Sequence, residues 1–137
     1  MTTAIAMTGS EIVLIDSSGW LEYITGDEKA DAFGAIFQKD VQVLVPTIVL
    51  YEVLKILLLR AGGSQANVFL SEALRRSVVD LTDTIALSAA SLSIDHKLPM
   101  ADAIIYATAV AMGADLLTCD AHFAKLPRVV YIAKGSQ

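Results

Sequence analysis

This sequence predicts an α/β architecture, a mostly parallel sheet covered by helices on both faces, and three observations predict it. Ile12–Ile15 is a short apolar run without alternation, the pattern of a strand buried on both faces, and Val41–Val45 is another β-branched run. Helical stretches follow each of them, so strands and helices alternate along the chain. The composition agrees, since 55% of the 137 residues are hydrophobic and 18% are charged, against about 25% charged in an average soluble domain.

The elements follow in order. After the strand Ile12–Ile15, Asp16, Ser17 and Ser18 offer capping side chains to a short helix carrying Trp20, Leu21 and Ile24, which Gly26 ends. Asp27–Phe37 reads as a second helix, with Ala30, Phe33, Ala35, Ile36 and Phe37 forming a broad apolar side. Val41–Val45 stops at Pro46, and Thr47 caps a long helix to about Arg60, where Ala61, Gly62 and Gly63 break the chain. Ser64 to Arg76 is helical with Val68, Phe69 and Ala73 inward, and Val78-Val79 is a weak strand. Thr82 to Leu98 is a helix punctuated by Pro99; Asp102–Met112 is another, closed by Gly113. Leu116–Cys119 and Val129–Ile132 are the last two strands. A single domain over residues 1–137, with its core at about 12–132, is expected; at this length a domain buries roughly 68% of its unfolded surface.

A chain this apolar is not disordered, because burial repays the entropy of ordering. It does not read as a membrane span either: Val41–Tyr51 is broken by Pro46, and Ala103–Ala114 is short of the roughly 18 residues needed. Met1–Ser10 has no basic residue and does not read as a signal peptide. Cys119 stands alone, which excludes a disulfide framework or a cysteine zinc knuckle. A cytoplasmic globular protein is the expectation. Part of the apolar excess suits an interface with another chain, and the helices Thr47–Arg60 and Ser64–Arg76 are candidates for a groove that takes an amphipathic helix.

The net charge of −5 argues against nucleic-acid binding by bulk charge. The distribution is uneven, however: residues 53–78 carry Lys55, Arg60, Arg75 and Arg76 against Glu72 alone, and Lys125 and Arg128 follow in an acid-free tail. These are candidates to line the approach of a polyanion backbone.

No phosphate-binding glycine loop and no GxSxG elbow occurs, and His96 and His122 are too few for a histidine-built zinc site. Carboxylates remain. Asp16 and Asp120 each directly follow a strand, where the crevice at the carboxyl ends of an open parallel sheet binds ligands. Glu52 shares a helix face with Ile48, Val49 and Ile56, and Asp102 opens a helix with an apolar stripe of Ile105, Tyr106 and Ala109. Taken singly, the aspartates could be turn or helix caps, and Glu52 could pair with Lys55. Together they would crowd one end of the sheet. Two carboxylates about 5 Å apart repel by roughly 3 kcal/mol at an effective dielectric of 20, so such a cluster calls for a cation. Oxygen donors favour Mg²⁺ or Mn²⁺, whose chemistry is phosphoryl transfer or hydrolysis.

The strings Ile15-Asp16-Ser17-Ser18 with Trp20, Tyr51-Glu52-Val53, Ala101-Asp102-Ala103-Ile104 with Ala107-Thr108-Ala109, and Leu117-Thr118-Cys119-Asp120 with Phe123 resemble the PIN-domain family, specifically its VapC-type toxins. The likeness runs from about Ile12 to Ile132. It implies a three-layer α/β/α fold and a Mg²⁺- or Mn²⁺-dependent endoribonuclease acting on RNA, with tRNA among the candidate substrates. It also implies a homodimer silenced by a cognate VapB-like antitoxin. On this resemblance Asp16, Glu52, Asp102 and Asp120 are the catalytic, metal-holding acids and Thr118 a supporting hydroxyl; the four acids themselves suggest Asp16 and Asp102 as the main ligands, with Glu52 and Asp120 completing the shell and Thr118 or Ser17 supporting it. One departure stands out: many relatives carry a further acid two residues after the last catalytic one, and His122 occupies that position here. Asp115 reads as a turn residue. Two rival readings are a phospho-accepting receiver domain, for which Lys134 lies two residues beyond the last strand, and a catalytically silent binding module.

Overall fold

The strand β1 (Ile12–Ile15) lies at the centre of a five-stranded, all-parallel sheet. The computed structural model describes residues 11–26, 29–60 and 62–133. Expectations for Met1–Ser10, for the Asp27-Glu28 start of the second helix, for Ala61 and for Lys134 lie outside the described residues. On one side of β1 run β2 (Gln42–Pro46) and β3 (Ser77–Val79); on the other run β4 (Asp115–Thr118) and β5 (Val129–Tyr131). Register is fixed by pairs such as Leu14 with Leu44 and with Leu116. Val13, Leu14, Ile15, Val43, Leu44, Val45, Leu116 and Leu117 are all buried, which is why these strands read as unbroken apolar runs.

Helices α1 (Ser17–Thr25) and α2 (Ala30–Ile36) connect β1 to β2, while α3 (Thr47–Arg60) and α4 (Gly63–Ala73) connect β2 to β3. Helices α5 (Asp83–His96) and α6 (Met100–Met112) carry the chain back across β1 to β4. Strand order reverses at β1, so right-handed crossovers place the two groups of helices on opposite faces, giving three layers. Helix α1 packs against α2, α3 and α4, and α5 packs on α6. Trp20 anchors the first layer, its ring centroid 5.3 Å from those of both Phe37 and Phe69. Gly19 permits that packing: a Cβ there would meet Ile15 Cγ2 and Phe33 Cε1 at 2.7 Å. Gly26 ends α1 in the left-handed region at φ 72°.

Several expectations need correction. Val68 is 58% exposed, because the inward row of α4 is Ala66, Phe69 and Ala73, and Val68 is rotated about 100° from Phe69. Helix α6 begins at Met100 with Pro99 at its cap position, so Asp102 is its third residue and not a cap. Asp115 is no turn residue: it opens β4, is fully buried, and accepts a hydrogen bond from Arg128 Nε at 3.2 Å. Among the described residues, no helix is long and apolar enough to cross a membrane.

Candidate functional site

In a parallel sheet all strand C-termini share one edge. Asp16 lies directly after β1 and Asp120 just beyond β4, and Glu52 lies in the second turn of α3, which leaves β2 without a loop. Helix α6 returns toward the start of β4 and so runs against the strands, which brings its first turn, with Asp102, to the same edge.

Asp16 is 2% exposed and caps α1. Its Oδ1 accepts from the Gly19 amide at 3.0 Å and from Ser18 Oγ at 2.7 Å, and its Oδ2 accepts from Thr118 Oγ1 at 2.5 Å. Thr118 Oγ1 in turn accepts from the Asp120 amide at 2.8 Å, and Ser18 Oγ accepts from the Cys119 amide at 2.9 Å. This lacework ties the end of β1 to the end of β4. Burial pushes the Asp16 carboxyl up from 3.8 to about 6; the hydrogen bonds from Thr118, Gly19 and Ser18 resist the rise, and the nearby charge of Asp120 adds to it. Asp102 is also held above the usual carboxylate range, first by burial, then by Asp120 and more weakly by Glu52, with His122 opposing. Asp120 is therefore electrostatically coupled to both Asp16 and Asp102, and the four acids act as one cluster. Among the described residues, no lysine or arginine forms an ion pair with any of them.

Glu52 Oε1 accepts a hydrogen bond from Ser17 Oγ at 2.6 Å. Lys55 does not pair with Glu52; its ammonium sits 5.6 Å from the centre of the Tyr51 ring. Thus Thr118 supports Asp16 and Ser17 supports Glu52.

Among the described residues, Asp102, Asp120 and His122 form a candidate donor set, each offering one atom within 4.8 Å of the others. His122 Nδ1 stands 3.0 Å from Asp102 Oδ2 and 3.3 Å from Asp120 Oδ1. Adjacent ligands of an octahedral ion with bonds of about 2.1 Å stand about 3 Å apart, so this spacing fits a divalent cation. Asp16 and Glu52 remain outside the triad, with both oxygens of Asp16 and Oε1 of Glu52 engaged by the hydroxyls and amide described above. From sequence His122 stood out only as a departure. Its place two residues after Asp120 was the available signal: there a short 3-10 helix (Ala121–Phe123), capped by Asp120 itself, turns the ring toward Asp102.

The basic candidates divide. Lys55 is one helical turn beyond Glu52, and Arg60, at the far end of α3, is about 12 Å further along the axis than Glu52. Arg75 and Arg76 immediately precede β3 and so lie at the opposite edge of the sheet from the acids; the parallel direction of β3 decides this. Arg76 is occupied there by Glu72 and by the Phe37 ring, 4.7 Å from its guanidinium. Arg128 also belongs to that edge, bound to Asp115 and to the Gly113 carbonyl.

A family model described as the PIN domain matches residues 13–129. No curated protein matches the sequence. Among solved structures, a toxin–antitoxin complex from Klebsiella pneumoniae superposes with a TM-score of 0.74 at 24% identity, covering 86% of this chain and 95% of that one. Mycobacterium tuberculosis VapC20, described as a sarcin–ricin loop cleaving toxin, gives 0.72 at 20% identity over 84% and 95%. Rickettsia felis VapBC2, bound to a promoter DNA fragment, gives 0.72 at 18% identity over 89% and 98%. At these identities the structural likeness carries the fold.

Proposed function

The chain belongs to the PIN-domain family, and on that premise we propose that it is a metal-dependent endoribonuclease, the toxin of a toxin–antitoxin pair, working as one domain in the cytoplasm. The observation that carries this reading is the cluster of coupled acids at the carboxyl edge of the sheet, with no lysine or arginine among the described residues to neutralise it. A charge set of this kind wants a cation, and Mg²⁺ or Mn²⁺ suits its carboxylates.

Asp102 and Asp120 would hold the ion, with Asp16 and Glu52 completing its surroundings directly or through water. When bound, the ion supplies a Lewis acid that neutralises charge on the phosphodiester and its leaving oxygen. Glu52, steadied at Oε1 by Ser17, keeps Oε2 to orient an attacking water and take its proton. Thr118 and Ser18 hold Asp16 in one rotamer, so the acidic edge is organised before RNA arrives. Lys55, one helical turn beyond Glu52, would meet the RNA backbone, while Arg75, Arg76 and Arg128, at the opposite edge of the sheet, take no part.

The Mycobacterium tuberculosis neighbour is described as a toxin and other neighbours are complexes with an antitoxin, which supports a VapB-like partner here. Tyr51 and Leu58 stay 62% and 56% exposed although α3 and α4 pack together, and with Leu54 they line a groove of about 410 Å³. That groove suits the apolar side of an antitoxin helix. Leu87 and Ile94 on α5, both exposed, suit a second copy of the chain.

The test is cleavage of a structured RNA by the purified chain. Activity should need Mg²⁺ or Mn²⁺, vanish with a chelator, and vanish in Asp16→Asn while the circular dichroism is unchanged. Cleavage by Asp16→Asn that still depends on metal would overturn the assignment.

A further inference from the structure

His122 is drawn toward two acids although little packs around its ring. Its ring is 61% exposed, so burial does not confine it. Yet Nδ1 comes within 3.0 and 3.3 Å of one oxygen from each of two acids on different elements. The arrangement is built in from the backbone. The His122 amide donates to Asp120 Oδ1 at 2.9 Å, and the Asp120 amide donates to Thr118 Oγ1, so ring and carboxylate ride on the same fixed turn beyond β4. The same two separations are those of neighbouring corners of a metal octahedron.

We propose that His122 Nδ1 is a metal ligand beside Asp102 and Asp120, and that this nitrogen tilts the site toward a first-row transition ion such as Mn²⁺ and away from Mg²⁺. The proposal rests on the metal-dependent reading above. Its physical basis is donor character: Mg²⁺ is hard and sheds water reluctantly, preferring oxygen throughout, whereas transition ions accept an imidazole alongside carboxylates. As a ligand, Nδ1 would give the ion its lone pair, and Nε2 would carry the ring proton.

The experiment is Mn²⁺ titration of the full-length, RNA-free protein followed by pulsed electron paramagnetic resonance. Bound Mn²⁺ should show the coupling of a directly coordinated imidazole nitrogen, and isotopically labelled histidine should change it. His96→Gln should keep that signal and His122→Gln should lose it. Removing the ligand should weaken Mn²⁺ binding by about 10- to 100-fold while Mg²⁺ binding changes far less. His122→Asp, with an all-oxygen set, should bind Mg²⁺ better relative to Mn²⁺ than the parent does. Mn²⁺ bound without nitrogen coupling, equal losses for both ions in His122→Gln, or no Mn²⁺ binding at all would each overturn the proposal. RNA cleavage is scored separately: a parent protein that cleaves RNA without the nitrogen signature keeps its proposed function and loses this inference. One with the signature but no cleavage does the reverse.

Discussion

Asp16, directly after β1, and Asp115, at the start of the adjoining strand β4, are both buried, 2% and 0% exposed, but the protein treats them in opposite ways. Asp115, at the start of β4, meets the guanidinium of Arg128, which also binds the Gly113 carbonyl. Asp16, directly after β1, meets hydroxyls and an amide among the described residues, and faces Asp120 besides. Thirteen residues separate Asp115 from its cation in sequence, so a counter-charge was within the reach of this fold. At the amino edge of the sheet charge is cancelled within the chain; at the carboxyl edge it is concentrated and left for something from outside. The first arrangement stabilises the fold and the second costs stability in exchange for a site.

The sharpest way to break the comparison is through activity. Asp102→Asn and Asp120→Asn should each lower RNA cleavage by about 10²- to 10³-fold, the scale of losing one preorganised electrostatic contact, with no loss of fold. Cleavage at the parent's rate in both variants would move the chemistry elsewhere. At the other edge, Arg128→Ala should destabilise the protein by about 2 to 3 kcal/mol in denaturant titrations, because Asp115 stays buried without its guanidinium. RNA cleavage at a temperature well below the midpoint should be unaffected.

Asp16→Asn should have the opposite effect on stability. In the metal-free protein the folded state holds the Asp16 proton up to about pH 6, while the unfolded chain releases it near 3.8. Folding is therefore favoured below pH 3.8, loses about 3 kcal/mol as pH rises to 6, and is flat above that as far as this group is concerned. Asparagine caps a helix as well as aspartate and avoids the buried charge, so the variant should be more stable than the parent at pH 7 and lose that stretch of pH dependence. A destabilised Asp16→Asn at pH 7 would show that the hydroxyl lacework outweighs the cost of burial. The smallest effect concerns RNA binding: Lys55→Ala should reduce the salt slope by about 0.7, one single-strand phosphate contact, and Arg76→Ala should leave it unchanged.

The strands and most helices were legible because burial on both sheet faces writes an unbroken apolar run, as in Val43–Val45, and because Gly26 and Gly113 end helices in the left-handed region. The acids were legible from their positions after strands and in first turns. Asp115 was misjudged because its partner sits on another segment, and Val68 because one residue of phase on a helix separates core from solvent.

By itself the sequence determined the order of strands and helices, and with it the grouping of acids near strand ends, since both depend on local pattern and chain direction. Only the tertiary structure decided which charges find a counter-charge, which basic residues share an edge with the acids, and that His122 Nδ1 meets both Asp102 and Asp120. Those outcomes depend on through-space distance and burial between segments well separated in sequence, and electrostatic energy follows that distance and the local dielectric, not separation along the chain.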